Sequence, residues 1–208
     1  MHIPAFFNDR FDWLGWERNL RCFVIAAYSA PGRHYHGLGH IARMIRDIEA
    51  KNRPQSVATF ERELLAATFF HDIVYDPRGS DNEEQSVVTA KVWLDSERHD
   101  LDLDLVADLI LATKAHDVND IAPQYERYFL MSDIAILWAE PHIYRWYAHG
   151  IRKEYAHVPA EAYREGRSGV IRRLGNDLPP ITRKLIDRAL VNIEWELGAL
   201  RQGEFDVP

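Results

Sequence analysis

The stretch "FERELLAATFFHDIVYD", residues 60–76, decides how the chain is read. Its first part has apolar residues at three- and four-residue spacing, the period of a helix with one buried side. Leu64, Leu65 and Thr68 share a face, and His71 and Asp72 follow seven residues after the two leucines. The pair therefore continues the side that packing should bury. An ionised carboxylate in that position is costly unless a partner offsets its charge.

Bulk properties narrow the field. A chain of 208 residues is expected to form one domain and is long enough to bury a core without disulfide staples. Hydrophobic residues make up 47%, which marks a globular chain. A net charge of −7 argues against a general nucleic-acid binder, because phosphate backbones select basic surfaces. Cys22 is the single cysteine, so an intrachain disulfide is impossible and a thiolate zinc site is not expected. A reducing cytoplasm fits that usage. The start, "MHIPAFFNDRFDW", lacks the pattern of a secretory signal, and no run of 18 apolar residues suggests a membrane span.

Helical periodicity recurs along the whole chain, and strand-like alternation is scarce. Residues 10–30 read as one amphipathic segment stopped by Pro31 and Gly32. Ile41, Met44, Ile45 and Ile48 mark a helix from about His40. Pro54 breaks the chain, and a helix over about 56–75 carries His71 and Asp72. "EEQSVVTAKVWLDSER", "DLDLVADLILATKAH" and "PQYERYFLMSDIAILWA" follow as helices. Residues 141–175 read as one or two aromatic-rich helices, and 181–201 as a last one after Pro179 and Pro180. The expected fold is all-α, a single domain over residues 1–208, with 141–208 as a C-terminal helical extension.

Other polar residues fall on apolar stripes. Asp133 follows Phe129 and Leu130 and precedes Leu137 at helical spacing. His116 follows Ile110 and Thr113, and His40 opens its helix four residues before Met44. His40, His71, Asp72 and Asp133 thus come from three helices and point inward. One divalent cation would offset both carboxylates. Imidazole and carboxylate donors suit Mn, Fe, Co, Ni, Zn or Mg. A bland reading stands beside this one. A lone inward histidine commonly bonds a carbonyl, and Asp133 could cap a helix starting at Ile134.

In this order, "YHGLGHI" (35–41), "FFHDIVYD" (69–76) and "MSDIAIL" (131–137) resemble the metal-binding pattern of the HD superfamily of metal-dependent phosphohydrolases. The similarity is greatest to a bacterial branch of predicted HD phosphohydrolases, and it extends to "DNEEQSV", "LATKAH" and "IRKEYAHVP". The resemblance implies a helical HD-type fold with His40, His71, Asp72 and Asp133 as metal ligands. It implies that Asp72 takes part in catalysis. His36 competes with His40 as first ligand, although Gly37 and Gly39 make a regular helix between them unfavourable. Some HD proteins hold a second metal, for which His36 and His116 are the candidates here.

The implied activity is hydrolysis of a phosphate ester of a nucleotide or other small phosphorylated metabolite through a metal-bound water. Acidic residues soon after the His-Asp pair act near the metal in related hydrolases, and Glu83 and Glu84 stand there. The same acids suit a capping box or the first turn of a helix. Arg33, Lys114 and His116 are candidate contacts for the substrate phosphate. The basic segment 151–173 could face an anion or form a salt-bridged surface, and Tyr144, Trp146, Tyr147, Tyr155 and Tyr163 could stack on a base or fill a core. No membrane or nucleic-acid partner is expected, and a homodimer is left open. The alternatives are a di-iron HD-type oxygenase and a non-catalytic metal- or nucleotide-binding regulatory protein.

Overall fold

The computed structural model describes residues 3–96, 100–116, 122–179 and 181–207. Among these residues it contains helices and no strand, as the periodicity predicts. In chain order the helices are α1 (Ala5–Leu14), α2 (Arg18–Tyr28), α3 (Leu38–Ile48), α4 (Gln55–Thr59), α5 (Glu61–Phe70), α6 (Asn82–Ser96), α7 (Leu103–Ala112), α8 (Gln124–Asp133), α9 (Pro141–Glu154), α10 (Ala160–Asn176) and α11 (Arg183–Gln202). A short 3-10 helix, Ile134–Trp138, follows α8 directly. No helix among the described residues is long and apolar enough to cross a membrane.

The chain divides into two compact units. The first holds Met1–Pro31 and His36–Asp133; the second holds Gly32–Tyr35 and Ile134–Pro208. The division falls at residue 133, ahead of the expected start of the extension at 141.

In the first unit, α5 packs on α3, α6 and α7, and α3 packs on α8. Every residue of α5 from Leu64 to Phe70 is buried. Phe69 meets Phe11 at 4.7 Å between ring centroids and Trp16 at 5.3 Å. This aromatic cluster explains why α1 lies on the core. The segment read as one helix over 10–30 is two helices. Gly15 adopts a left-handed conformation, φ 74°, and its N–H caps the Asp12 carbonyl, so α1 ends there. The helix expected over 56–75 is also broken, at Phe60, and it ends at Phe70. The ends expected near residue 98 and at Pro180 lie outside the described residues.

The second unit has its own core, with Tyr144, Tyr147, Tyr163, Leu200 and Phe205 among its buried residues. A buried ion pair crosses it. Arg167 Nε donates to Glu196 Oε1 at 2.7 Å, and Tyr144 donates its hydroxyl proton to the other Glu196 oxygen. Arg167 also donates to the Tyr147 hydroxyl at 2.9 Å. Arg152 donates to the carbonyls of Phe205 and Tyr155, at 2.7 Å each. Two of the basic residues of segment 151–173 are therefore internal struts, and three of the aromatics belong to the core. Trp146 alone of the five aromatics is largely exposed.

Candidate metal centre

The site lies in the first unit, where three elements end or begin close together. His40 is the third residue of α3, His71 and Asp72 follow the last residue of α5, and Asp133 is the last residue of α8. His71 keeps helical dihedrals, φ −59° and ψ −38°, and its N–H still donates to the Ala67 carbonyl at 2.8 Å, so the pair begins as a continuation of α5. The pair His71–Asp72 leaves the helix through a turn in which the Ile73 N–H donates to the Phe70 carbonyl at 3.1 Å.

Four donor atoms converge. The Nε2 atoms of His40 and His71 are 3.1 Å apart. Asp72 Oδ2 lies 3.1 Å from His71 Nε2 and 4.0 Å from His40 Nε2. Asp133 Oδ1 lies 3.1 Å from His40 Nε2 and 3.7 Å from His71 Nε2. His40, His71 and Asp72 form a group whose ligand atoms all lie within 4.8 Å of one another, so this group could hold a metal ion. Asp133 borders that group on its histidine side.

The donor set fits a divalent cation. His71 Nδ1 lies 3.0 Å from the Thr68 carbonyl, which can only accept, so Nδ1 carries the proton. The second nitrogen, Nε2, is thereby turned toward the cluster with its lone pair available once the ring is neutral. The imidazoles are almost fully buried, at 3% for His40 and 2% for His71. The Asp72 and Asp133 side chains keep 20% and 11% of their exposure, so solvent reaches the carboxylate side.

The charges of the metal-free site follow from this packing. Burial pushes the His71 imidazolium down, but Asp72, its hydrogen bond, Asp133 and the Thr68 carbonyl outweigh it and raise the pKa to about 9. His40 goes the other way, because burial outweighs the pull of Asp133 and Asp72. For Asp72, burial acts against ionisation, and the neighbouring His71 and His36 overcome it, so the carboxyl stays below its ordinary range. Asp133 is held well below that range against burial, first by its hydrogen bond to His116 and then by those to His40 and by the His71 charge.

Surrounding residues hold the site's frame. Ser86 is buried on α6, and its hydroxyl accepts from the Val74 N–H at 3.2 Å and donates to the Val74 carbonyl at 3.4 Å. Asn82 accepts from the Asp76 N–H at 3.0 Å and donates to the Asp76 carbonyl at 2.9 Å. Together they fix the segment that follows the His-Asp pair. Sequence reading missed both: Asn82 fits a capping box with Gln85, and Ser86, inside the helix, gives no local signal of its role. The only available hint was their position inside "DNEEQS".

The remaining expected residues fall in different places. His36 joins the site: its ring lies 4.5 Å from Tyr75 and 5.9 Å from His40, and it faces the Asp72 charge. His116 joins it through Asp133, with Nε2 2.7 Å from Oδ2. Lys114 binds Glu84 and the Ser80 carbonyl on the exposed surface, which ties the end of α7 to the start of α6. Its ammonium holds the Glu84 carboxyl below the ordinary range. Glu83 is half-buried one residue earlier in the same turn. Arg33 belongs to the second unit.

Comparison with family models, with curated proteins and with solved structures returns no match. The HD-type resemblance therefore rests on the sequence motifs alone.

Proposed function

We propose that the protein is a metal-dependent phosphohydrolase of the HD type, acting on a phosphate ester of a nucleotide or other small phosphorylated metabolite. One observation carries the proposal. Two buried imidazole Nε2 atoms 3.1 Å apart meet a carboxylate from each side, in the His, His-Asp, Asp order of the motif.

A bound divalent cation supplies Lewis acidity toward a phosphoryl oxygen and lowers the pKa of water. His40, His71, Asp72 and Asp133 would hold it, and the buried side of the site keeps the imidazoles from bulk solvent. Hydrolysis joins a water oxygen to phosphorus and breaks the bond to the leaving oxygen. One proton must leave the water and one must reach the leaving group. Asp72, partly open to solvent, is assigned the orientation of the water. Glu83 is assigned the proton transfer in preference to Glu84, whose carboxylate is already held by Lys114. His36, whose ring lies against Tyr75 and faces the Asp72 charge, is assigned to the side from which the ester would enter. The single cysteine fits a cytoplasmic location for this activity.

The test is metal content by elemental analysis on protein purified without a chelator or a histidine tag, followed by phosphate release from a panel of nucleotides and sugar phosphates. The expected result is a bound transition metal in the wild type, its loss in Asp72→Ala, and phosphate release only from the wild type. An Asp72→Ala protein with full activity would overturn the proposal.

A further inference from the structure

Among the described residues, His116 is the one non-glycine with a positive φ, 51°. It closes the turn after α7, where its N–H donates to the Ala112 carbonyl at 3.1 Å. Helices usually present a glycine at this point, because a Cβ crowds the left-handed backbone. Glycine would serve the backbone at least as well, so the side chain has to account for the histidine. That side chain meets Asp133: Nε2 lies 2.7 Å from Oδ2. The carboxylate can only accept, so Nε2 carries the proton in either charge state of the ring. The other oxygen of Asp133, Oδ1, stands 3.1 Å from His40 Nε2 and 3.7 Å from His71 Nε2. The two oxygens thus have separate duties.

We infer that His116 is a positioning residue for Asp133: it grips Oδ2 so that the carboxylate offers Oδ1 alone to a cation at His40, His71 and Asp72. The inference rests on the metal-site reading above and adds a part to it. Without the grip, the carboxylate can turn about its last torsion, which is broad for aspartate. It would then offer both oxygens or turn toward the solvent that its exposed edge already meets. A histidine serving instead as a ligand for a second cation, or as a contact to the substrate phosphate, would have to do so through Nδ1 or else release Asp133.

The experiment compares wild type with His116→Gly, His116→Asn and His116→Gln. Gly and Asn both suit the left-handed backbone, and neither reaches Asp133. Gln carries an amide donor close to the position of the lost Nε2. Co2+ is titrated into each metal-free protein by calorimetry, the visible Co2+ spectrum is recorded, and the metal-free Tm is measured beside them. The expected result for Gly and Asn is a roughly 10–100-fold weaker Co2+ affinity, the range for loss of an outer partner. The Co2+ spectrum changes, and the number of ions bound per chain is that of the wild type. Gln recovers most of the affinity. Wild-type affinity and spectrum in both Gly and Asn would overturn the inference, as would the loss of one bound ion per chain or a Gln variant no better than Gly. A wild type that binds no Co2+ would overturn the metal-site reading itself, a result distinct from these.

Discussion

His40 Nε2 and His71 Nε2 stand 3.1 Å apart, each reached by a different aspartate. One proton can be shared along that contact. Two protonated rings at this distance would repel, and two bare nitrogens would leave paired lone pairs facing each other beside two carboxylates. A cation held by His40, His71 and Asp72, whose ligand atoms lie within 4.8 Å of one another, would relieve that conflict.

Metal should therefore stabilise the fold. At a concentration about 100 times its Kd, a ligand that binds only the folded state adds about 2.7 kcal/mol. For a protein of this size that corresponds to a Tm increase of roughly 5–10 °C. Thermal melts with Mn2+ or Co2+, and after chelation, check it. Asp72→Ala should show no metal-dependent shift.

The affinity should depend on pH through His71. Its pKa is raised to about 9 in the metal-free fold, against an ordinary value near 6.5. A raised histidine stabilises the metal-free protein fully below its unfolded value, and that stabilisation fades as pH climbs through about 9. The cation must displace the same proton, so binding weakens as pH falls below about 9, by roughly tenfold per unit when one proton is released. Calorimetry at pH 7 and pH 8, in buffers of different protonation enthalpy, measures both the affinity ratio and the proton count. A flat affinity with no proton released would refute this assignment of charge.

Much of this site was legible because burial and polarity conflict in a periodic pattern. His71 and Asp133 interrupt apolar stripes, and a stripe needs only the local sequence to be seen. The end of α5 at Phe70 was not legible. Residues 60–76 contain no glycine or proline, and what turns the chain is tertiary: Ile73 enters the core, while Ser86 and Asn82 seize the backbone at Val74 and Asp76. The break at Gly15 was missed for the opposite reason, since a lone glycine is tolerated within a helix and reads as a stop only once its left-handed backbone is known. Arg167 and Glu196 are 29 residues apart, and no local period joins them.

The two glutamates at the start of α6 should separate in kinetics. Glu84 is held by an ammonium, and the carboxyl lies below its ordinary range, so it is a poorer base than an unpaired glutamate. Glu83→Gln should lower kcat by about 100-fold or more with metal content unchanged, the scale of a lost acid-base group. Glu84→Gln should keep kcat within a few-fold of wild type and leave the Tm in place. Steady-state phosphate release at saturating metal distinguishes them, and an equal collapse in both would remove Glu83 from its assigned role.

Ser86 should matter for stability out of proportion to its size. Its hydroxyl serves both the N–H and the carbonyl of Val74, two residues beyond Asp72, and it is fully buried on α6. Alanine there removes no bulk beyond one oxygen but leaves the Val74 N–H without its acceptor. A fully buried unsatisfied donor costs about 1–3 kcal/mol, and the part-buried Val74 N–H should cost less than the upper end of that range. Ser86→Ala should lower the urea midpoint by an amount corresponding to that cost with an unchanged m-value, since the area exposed on unfolding is the same. Threonine would keep the hydroxyl but add a methyl group to a packed face, so Ser86→Thr should recover part of the loss at most. An alanine variant as stable as wild type would mean that the Val74 N–H finds water in its place, and that the segment after the His-Asp pair is held by Asn82 alone.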